Sequence, residues 1–211
     1  MVRSGSRSEE SMKSAVVAAL YSALAFPTVA VAQQHGGAAS SRPASTPPPE
    51  ARQFDFLIGQ WELVVTPKVS GLAARIHGAP RLLGMWKAWR AFDGFGIEDE
   101  LRIMDRSGNP SSLSHVLRGY SAAEHRWITT SLDAYRGRIS QSTAEWRNGE
   151  MIVSGRGTDA EGKPTLIRSR FMAITPASFR FQQDRSSDEG KSWEEGVLKI
   201  EAKRVAAAAP R

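Results

Sequence analysis

The stretch Arg138-Ile139-Ser140-Gln141-Ser142-Thr143-Ala144-Glu145-Trp146-Arg147-Asn148-Gly149-Glu150-Met151-Ile152-Val153-Ser154-Gly155-Arg156-Gly157 decides the fold. Two short runs flank Arg147-Asn148-Gly149. Asn-Gly is a strong hairpin signal, because both residues tolerate the positive φ that a tight turn between antiparallel strands requires. Arg138 to Trp146 and Glu150 to Gly157 are therefore expected to pair.

The same rhythm extends in both directions. Downstream, Thr165 to Ala173 follows a turn cluster ending at Pro164, Ser178 to Arg185 follows Thr175-Pro176-Ala177, and Trp193 to Arg204 follows Ser186 to Lys191. Upstream, Leu113 to Tyr120 and Arg126 to Asp133 flank the turn Ser121 to His125. Gln60 to Pro67, Lys87 to Phe92 and Gly96 to Asp105 read as three more strands, while residues 68–84 carry no clear pattern. Between 113 and 204 no window shows a helical apolar stripe. About nine or ten strands joined by local turns predict an all-β, antiparallel, up-and-down arrangement. Closure into a barrel removes the two exposed edges that such a meander would otherwise present.

Alternation then sorts the side chains. Trp61, Leu63 and Val65 share one face of the first strand, and Leu198, Ile200, Ala202 and Arg204 share one face of the last. Phe179, Phe181 and Gln183 oppose Arg180, Gln182 and Asp184; Trp127, Thr129, Ser131 and Asp133 fall together. The inward sets mix apolar bulk with a few polar groups.

The ends read differently. Residues 12–32 begin Met12-Lys13, continue through an uncharged apolar run from Ala15 to Ala25, and end with the small pair Ala30 and Ala32. Those are the parts of a secretory signal peptide, so residues 1–32 are expected to be removed, with Met12 the true start because Glu9 and Glu10 do not suit a positive leader. The apolar run falls short of the roughly 20 residues that cross a bilayer, so no transmembrane segment is expected after cleavage. Residues 33–50, rich in Gly, Ala, Ser and Pro, are expected to be a disordered linker, residues 51–205 the barrel, and residues 206–211 a tail. The expected destination is periplasmic or extracellular. Cysteine is absent, which excludes disulfides, thiolate metal sites and a cysteine nucleophile. The net charge of +6 falls only to +5 without the leader, so basicity belongs to the mature chain.

Phe54-Asp55-Phe56-Leu57-Ile58-Gly59-Gln60-Trp61, a short apolar lead-in followed by Gly-x-Trp on the first strand, resembles the calycin superfamily of lipocalin-like barrels. It is similar more closely to a bacterial family of exported lipocalin-like proteins classified as a domain of unknown function. Tyr120 to Trp127 is similar to that family's Tyr-Asp-Pro-x-x-x-x-Trp turn, with Ser121 and Ala122 in place of Asp-Pro. Trp127 to Asp133 is similar to its Trp…Asp strand. Phe179, Gln183, Ser186, Asp188, Gly190 and Trp193 follow its Phe…Gln…Ser-x-Asp-x-Gly-x-x-Trp order. The likeness spans residues 53–204. It implies that Trp61 closes one end of the barrel with Arg204 lying across it, that Gly59 admits the chain there without a Cβ clash, and that Phe54, Phe56 and Leu57 plug that end as a helical turn.

Motifs for chemistry are sparse. The histidines His35, His77, His115 and His125 have no metal-ligand spacing, and no His lies near the C-terminus where some calycin-like barrels hold haem. No nucleophile elbow or phosphate loop is present, and Asp188-Glu189-Gly190-Lys191 reads as a hairpin tip rather than a calcium loop. Neither a cofactor nor a metal is expected. In Glu98-Asp99-Glu100 strand neighbours point to opposite faces, so Glu98 and Glu100 are co-facial, a candidate pair for acid–base work whose default is a solvated face, and Asp99 is the one expected to face inward. The 21 Arg against 7 Lys are spread over nearly every strand, which argues against nucleic-acid binding and leaves attraction to an anionic surface or ligand.

Three functions remain open. In the first, the barrel is a binding module for a small, partly apolar molecule. Trp61, Trp127, Phe179 and Phe181 would be its walls, and Ser131, Asp133 and Gln183 its orienting groups. In the second, the interior is filled and the surface is an interaction domain. In the third, a hydrolase or isomerase uses Asp133 or Asp99 as a buried base, whose signature is an inward carboxylate with a raised pKa beside a donor.

Overall fold

A computed structural model describes residues 46–69, 80–159 and 162–206. The leader and most of the linker expected from the sequence lie outside the described residues. Ten antiparallel strands form a closed up-and-down barrel: β1 (Gly59–Pro67), β2 (Leu82–Ala91), β3 (Gly96–Met104), β4 (Pro110–Ser121), β5 (Arg126–Asp133), β6 (Arg138–Arg147), β7 (Glu150–Thr158), β8 (Pro164–Met172), β9 (Ser178–Ser186) and β10 (Glu194–Arg204). Each strand pairs with its sequence neighbours. β1 closes the ring on β10, with Trp61 opposite Arg204 and Val65 opposite Ile200. The β6–β7 turn has φ 51° at Asn148 and 80° at Gly149, the left-handed pair that the sequence requires there.

Three boundaries differ from the sequence expectation, each for a local reason. β2 begins at Leu82, because inward-facing Gly84 interrupts the alternation that would have marked it; a Cβ there would lie 2.9 Å from the Arg102 carbonyl oxygen. It stops at Ala91, since Phe92 turns left-handed at φ 54°. β4 begins at Pro110 within a Pro-Ser-Ser run of turn-like composition, pairing with Met104 at a register shift. Regular structure also reaches into the expected linker: Pro49–Arg52 forms a 3-10 turn that buries Ala51, whose carbonyl accepts a 2.9 Å bond from Arg90 Nη1.

The barrel is packed at one end. Phe54 and the 3-10 turn Asp55–Leu57 enter the end where β1 starts, and Phe54, Leu57, Trp61, Trp127, Phe171 and Phe179 are all at most 1% exposed. Their rings meet edge to face: Phe54 with Trp127 at 4.9 Å and Trp61 with Phe179 at 4.8 Å, a preferred geometry for π-systems. The buried indoles are satisfied, Trp61 Nε1 donating to Leu57 O at 2.8 Å and Trp127 Nε1 to Gln53 Oε1 at 3.1 Å. Arg204 lies across this end with its guanidinium carbon 4.0 Å from the Trp61 ring centre. It donates to three carbonyls: Pro176 (2.6 Å), Ile58 (2.6 Å) and Phe56 (3.0 Å). Gly59, at φ +124°, leaves room for that guanidinium, because a Cβ there would collide with Arg204 Nη1.

Asp184 points outward from β9 yet is completely buried. A register shift between Glu194 and Leu198 brings the Gly196 N–H to within 2.9 Å of Asp184 Oδ1. Gln182, Arg168 and Arg170 also face this carboxylate, at 2.8, 3.0 and 3.7 Å. Burial pushes the carboxyl up, but these donors outweigh it and the group sits below its ordinary value. Arg168 is sandwiched against the Trp193 ring at 4.4 Å.

At the hairpin tip Asp188 receives the Ser192 hydroxyl (2.6 Å), the Ser192 N–H (2.9 Å) and the Ser186 hydroxyl (2.7 Å). These bonds pull its pKa down to about 2. A folded pKa below the ordinary 3.8 means that this carboxylate stabilises the hairpin above that value and stops doing so as the pH falls through about 2. A 13C titration of the Asp188 carboxyl is expected to show a midpoint near 2, moved upward by Ser192→Ala. A wild-type midpoint near 3.8 would contradict the hairpin geometry.

Candidate functional site

On three strands the inward row of side chains shrinks from the packed end toward the other. Along β5 the row runs Trp127, Thr129, Ser131, Asp133; along β7 it runs Met151, Val153, Gly155, Gly157; along β4, taken in the same direction, it runs Arg118, Val116, Ser114, Ser112. A barrel filled by large residues at one end and small ones at the other must leave space at the second. The result is a cavity of about 780 Å3 in the half of the barrel away from Phe54. Its floor is Trp86, Phe171 and Phe181, and its rim includes Arg138, Ile139 and Arg156.

Polarity is uneven around this cavity. The arc β4–β6 presents Ser112, Ser114, Thr129, Ser131, Ser140 and Ser142. Thr129 and Ser142 are bonded to each other, whereas the hydroxyls of Ser112, Ser114, Ser131 and Ser140 have no partner among the described residues. The arc β7–β9 presents Val153, Ile167, Phe171 and Phe181, and its polar pair, Gln183 and Ser169, is turned inward on itself at 3.4 Å.

At the base of the hydroxyl-bearing arc lies a buried ion pair. Asp99 on β3 and Arg118 on β4 are 0% and 5% exposed. Arg118 Nε donates to Asp99 Oδ2 at 2.5 Å and Nη2 to Oδ1 at 3.3 Å, while Trp86 Nε1 donates to the same Oδ1 at 2.7 Å. The Arg118 guanidinium also lies 4.9 Å over Phe54. Oδ1 thus accepts two bonds and Oδ2 one. Arg118 Nη1 is engaged by no acceptor among the described residues, on a side chain that lines the cavity.

Of the residues expected to form a binding site, Ser131, Asp133, Phe181 and Gln183 line the cavity, while Trp127 and Phe179 lie below its floor in the packed end. Alternation identified their face but not their depth along the barrel axis. Asp133 ends β5 and caps the following turn, accepting from Arg136 N–H at 3.2 Å and Arg136 Nη1 at 2.9 Å. Partial burial raises its pKa, but the Arg136 bonds and charge outweigh this and hold it below the ordinary value. That is opposite to the raised pKa a buried base needs, and Asp99 is paired with the charged Arg118 and the Trp86 indole. Asp-x-x-Arg-Gly after a strand is an Asx-turn signal that could have marked Asp133 as a turn residue.

The remaining candidates lie elsewhere. Glu98 and Glu100 face outward, Glu98 3.4 Å from His115 and Glu100 3.7 Å from Arg102. His125 occupies a left-handed turn position at φ 52°; His35 and His77 lie outside the described residues. Among the described residues no group of three His, Asp or Glu side chains is placed to hold a metal ion. Arg118 was not singled out in the sequence, although its parity with Val116 on β4 put it on the inward face. The chain matches no known family model and no curated protein.

Proposed function

We propose that the protein is an exported, lipocalin-like binding module that holds a small, partly apolar molecule in the open half of its barrel. The cavity carries this reading. At about 780 Å3 it lies within the roughly 300–1,000 Å3 typical of small-molecule sites, and it combines an apolar floor with a few convergent polar groups. The Gly59-x-Trp61 entry beneath Arg204 supports the lipocalin-like relationship, and the leader pattern in residues 12–32 supports export to the periplasm or beyond. The alternative of a filled interaction domain has its support only in the packed half.

Native mass spectrometry of the protein purified from its own host tests this. The expected result is a single added small-molecule mass that is released on denaturation. Ser131→Trp, which places an indole in the open half, is expected to abolish that mass while the cooperative unfolding transition remains. A ligand-free wild-type mass, with nothing released on denaturation, overturns the proposal.

A further inference from the structure

On the outer wall of the barrel, β8 to β10 gather more positive charge around one carboxylate than that carboxylate can neutralise. Asp184 is completely buried there. Arg168 donates to it at 3.0 Å, with the Trp193 ring against its guanidinium. Arg170 Nη2 lies 3.7 Å from the same oxygen, too far for a hydrogen bond, and Arg170 Nε is buried with no hydrogen-bond partner among the described residues. Lys199 comes to the same place from β10. Its stem lies against Gly196, whose N–H bonds Asp184, and its Nζ is 3.4 Å from where a Cβ on that glycine would stand. The register sets Arg170, Gln182 and Lys199 side by side on three strands. The two cations therefore stand roughly 10 Å apart at their Cα atoms, with long side chains to close the gap.

Three positive charges thus surround one negative charge. Other carboxylates nearby are engaged elsewhere: Glu194 pairs with Arg185 and Lys68, and Glu201 stands one row away, opposite Arg180. A buried N–H without an acceptor is costly, and here it belongs to a cation whose counter-charge is already shared. The Arg168 and Arg170 side chains remain 34% and 31% exposed, so a solute can reach them.

We propose that this outer wall binds a phosphate group, seated between Arg170 and Lys199. Asp184 positions the site from beneath, holding the arginines so that little freedom is lost when a guanidinium takes two phosphate oxygens. A phosphate monoester, with a charge of about −1.5 to −2 at neutral pH, matches the excess of two. None of Arg168, Arg170, Asp184 and Lys199 lines the cavity, so this site is independent of the binding reading above.

Side-chain 15N NMR of the purified chain, titrated with sodium phosphate and separately with sodium chloride at equal ionic strength, tests this. The Arg170 Nε–H signal is expected to move saturably with phosphate, at half-saturation below about 1 mM, and to stay in place with chloride. Lys199→Gln leaves the bonds to the buried carboxylate intact and is expected to weaken phosphate binding at least about tenfold. Arg170→Gln is expected to do the same, with a thermal scan to check that it folds. Arg147→Gln removes the same charge from an exposed position on β6 and is expected to change binding less than about twofold. Cosedimentation with phosphatidylcholine vesicles, with and without phosphatidic acid, separates the sources. Retention by phosphatidic acid that Lys199→Gln abolishes assigns the site to a lipid head group; phosphate binding without such retention assigns it to a soluble phosphate. An equal loss in Arg147→Gln would show attraction to net charge only and overturns the site, as does failure of phosphate and vesicles alike.

Discussion

Asp99→Ala is expected to destabilise the protein by about 3–5 kcal/mol, because it leaves the Arg118 guanidinium buried without its counter-charge. The pair sits in the barrel interior with Arg118 only 5% exposed, so solvent cannot replace the lost carboxylate. Trp86 Nε1 loses its acceptor in the same change, a further unsatisfied donor. The penalty is asymmetric. Removing both charges in Asp99→Leu with Arg118→Met is expected to recover most of the loss, since two apolar chains carry no desolvation penalty and Met adapts to irregular space. Urea unfolding monitored by tryptophan fluorescence measures both variants against the wild type. A single Asp99→Ala loss below about 1 kcal/mol, or a double variant no better than the single, would show that the pair is not desolvated as described.

How far the sequence reached can be seen in particular residues. The Asn148-Gly149 turn and the run from Arg126 to Asp133 were legible because turn chemistry and strand length are local properties. The inward faces of β1 and β10 were legible because burial on one side forces alternation: Trp61, Leu63 and Val65 are 1%, 3% and 0% exposed. Depth was not legible. Trp127 and Ser131 share a face, yet one is packed beneath Phe54 and the other lines the cavity. Separating them requires knowing which end the Phe54–Leu57 segment plugs and how ten registers align, and both are tertiary facts. Asp184 shows the same limit from outside. Its parity placed it outward with Arg180 and Gln182, but Arg180 is exposed and Asp184 is 0% exposed, with Gln182, Arg168, Arg170 and, through the bulge, the Gly196 N–H closed around it. A bulge inserts a residue without announcing itself in the hydrophobic pattern. The size gradient from Trp127 to Ser131 and from Met151 to Gly157 was present in the sequence, and becomes readable as a cavity only once the strands are closed into a ring.

At the packed end, Gly59→Ala and Arg204→Ala are expected to be strongly coupled. Arg204→Ala removes three bonds to carbonyls and the contact over Trp61, and should cost about 3 kcal/mol. Charge-assisted bonds are worth roughly 1.5–3 kcal/mol each, but here they are partly solvated and not additive. Gly59→Ala acts in two ways. An alanine at φ +124° is strained by about 1–3 kcal/mol, and its Cβ occupies the place of Arg204 Nη1 and so displaces the guanidinium. In the wild-type background the total should reach about 3–4 kcal/mol. In the Arg204→Ala background the collision no longer exists and only the strain remains. The double variant should therefore be less destabilised than the sum of the singles by about 1–2 kcal/mol, a coupling readily resolved in a double-mutant cycle. Arg204→Lys should recover little of the Arg204→Ala loss, because a single ammonium on a flexible stem cannot bridge the carbonyls of Phe56, Ile58 and Pro176 together. Simple additivity of Gly59→Ala and Arg204→Ala would mean that Gly59 is required for its backbone angle alone, and that the guanidinium could seat itself equally well beside a methyl group.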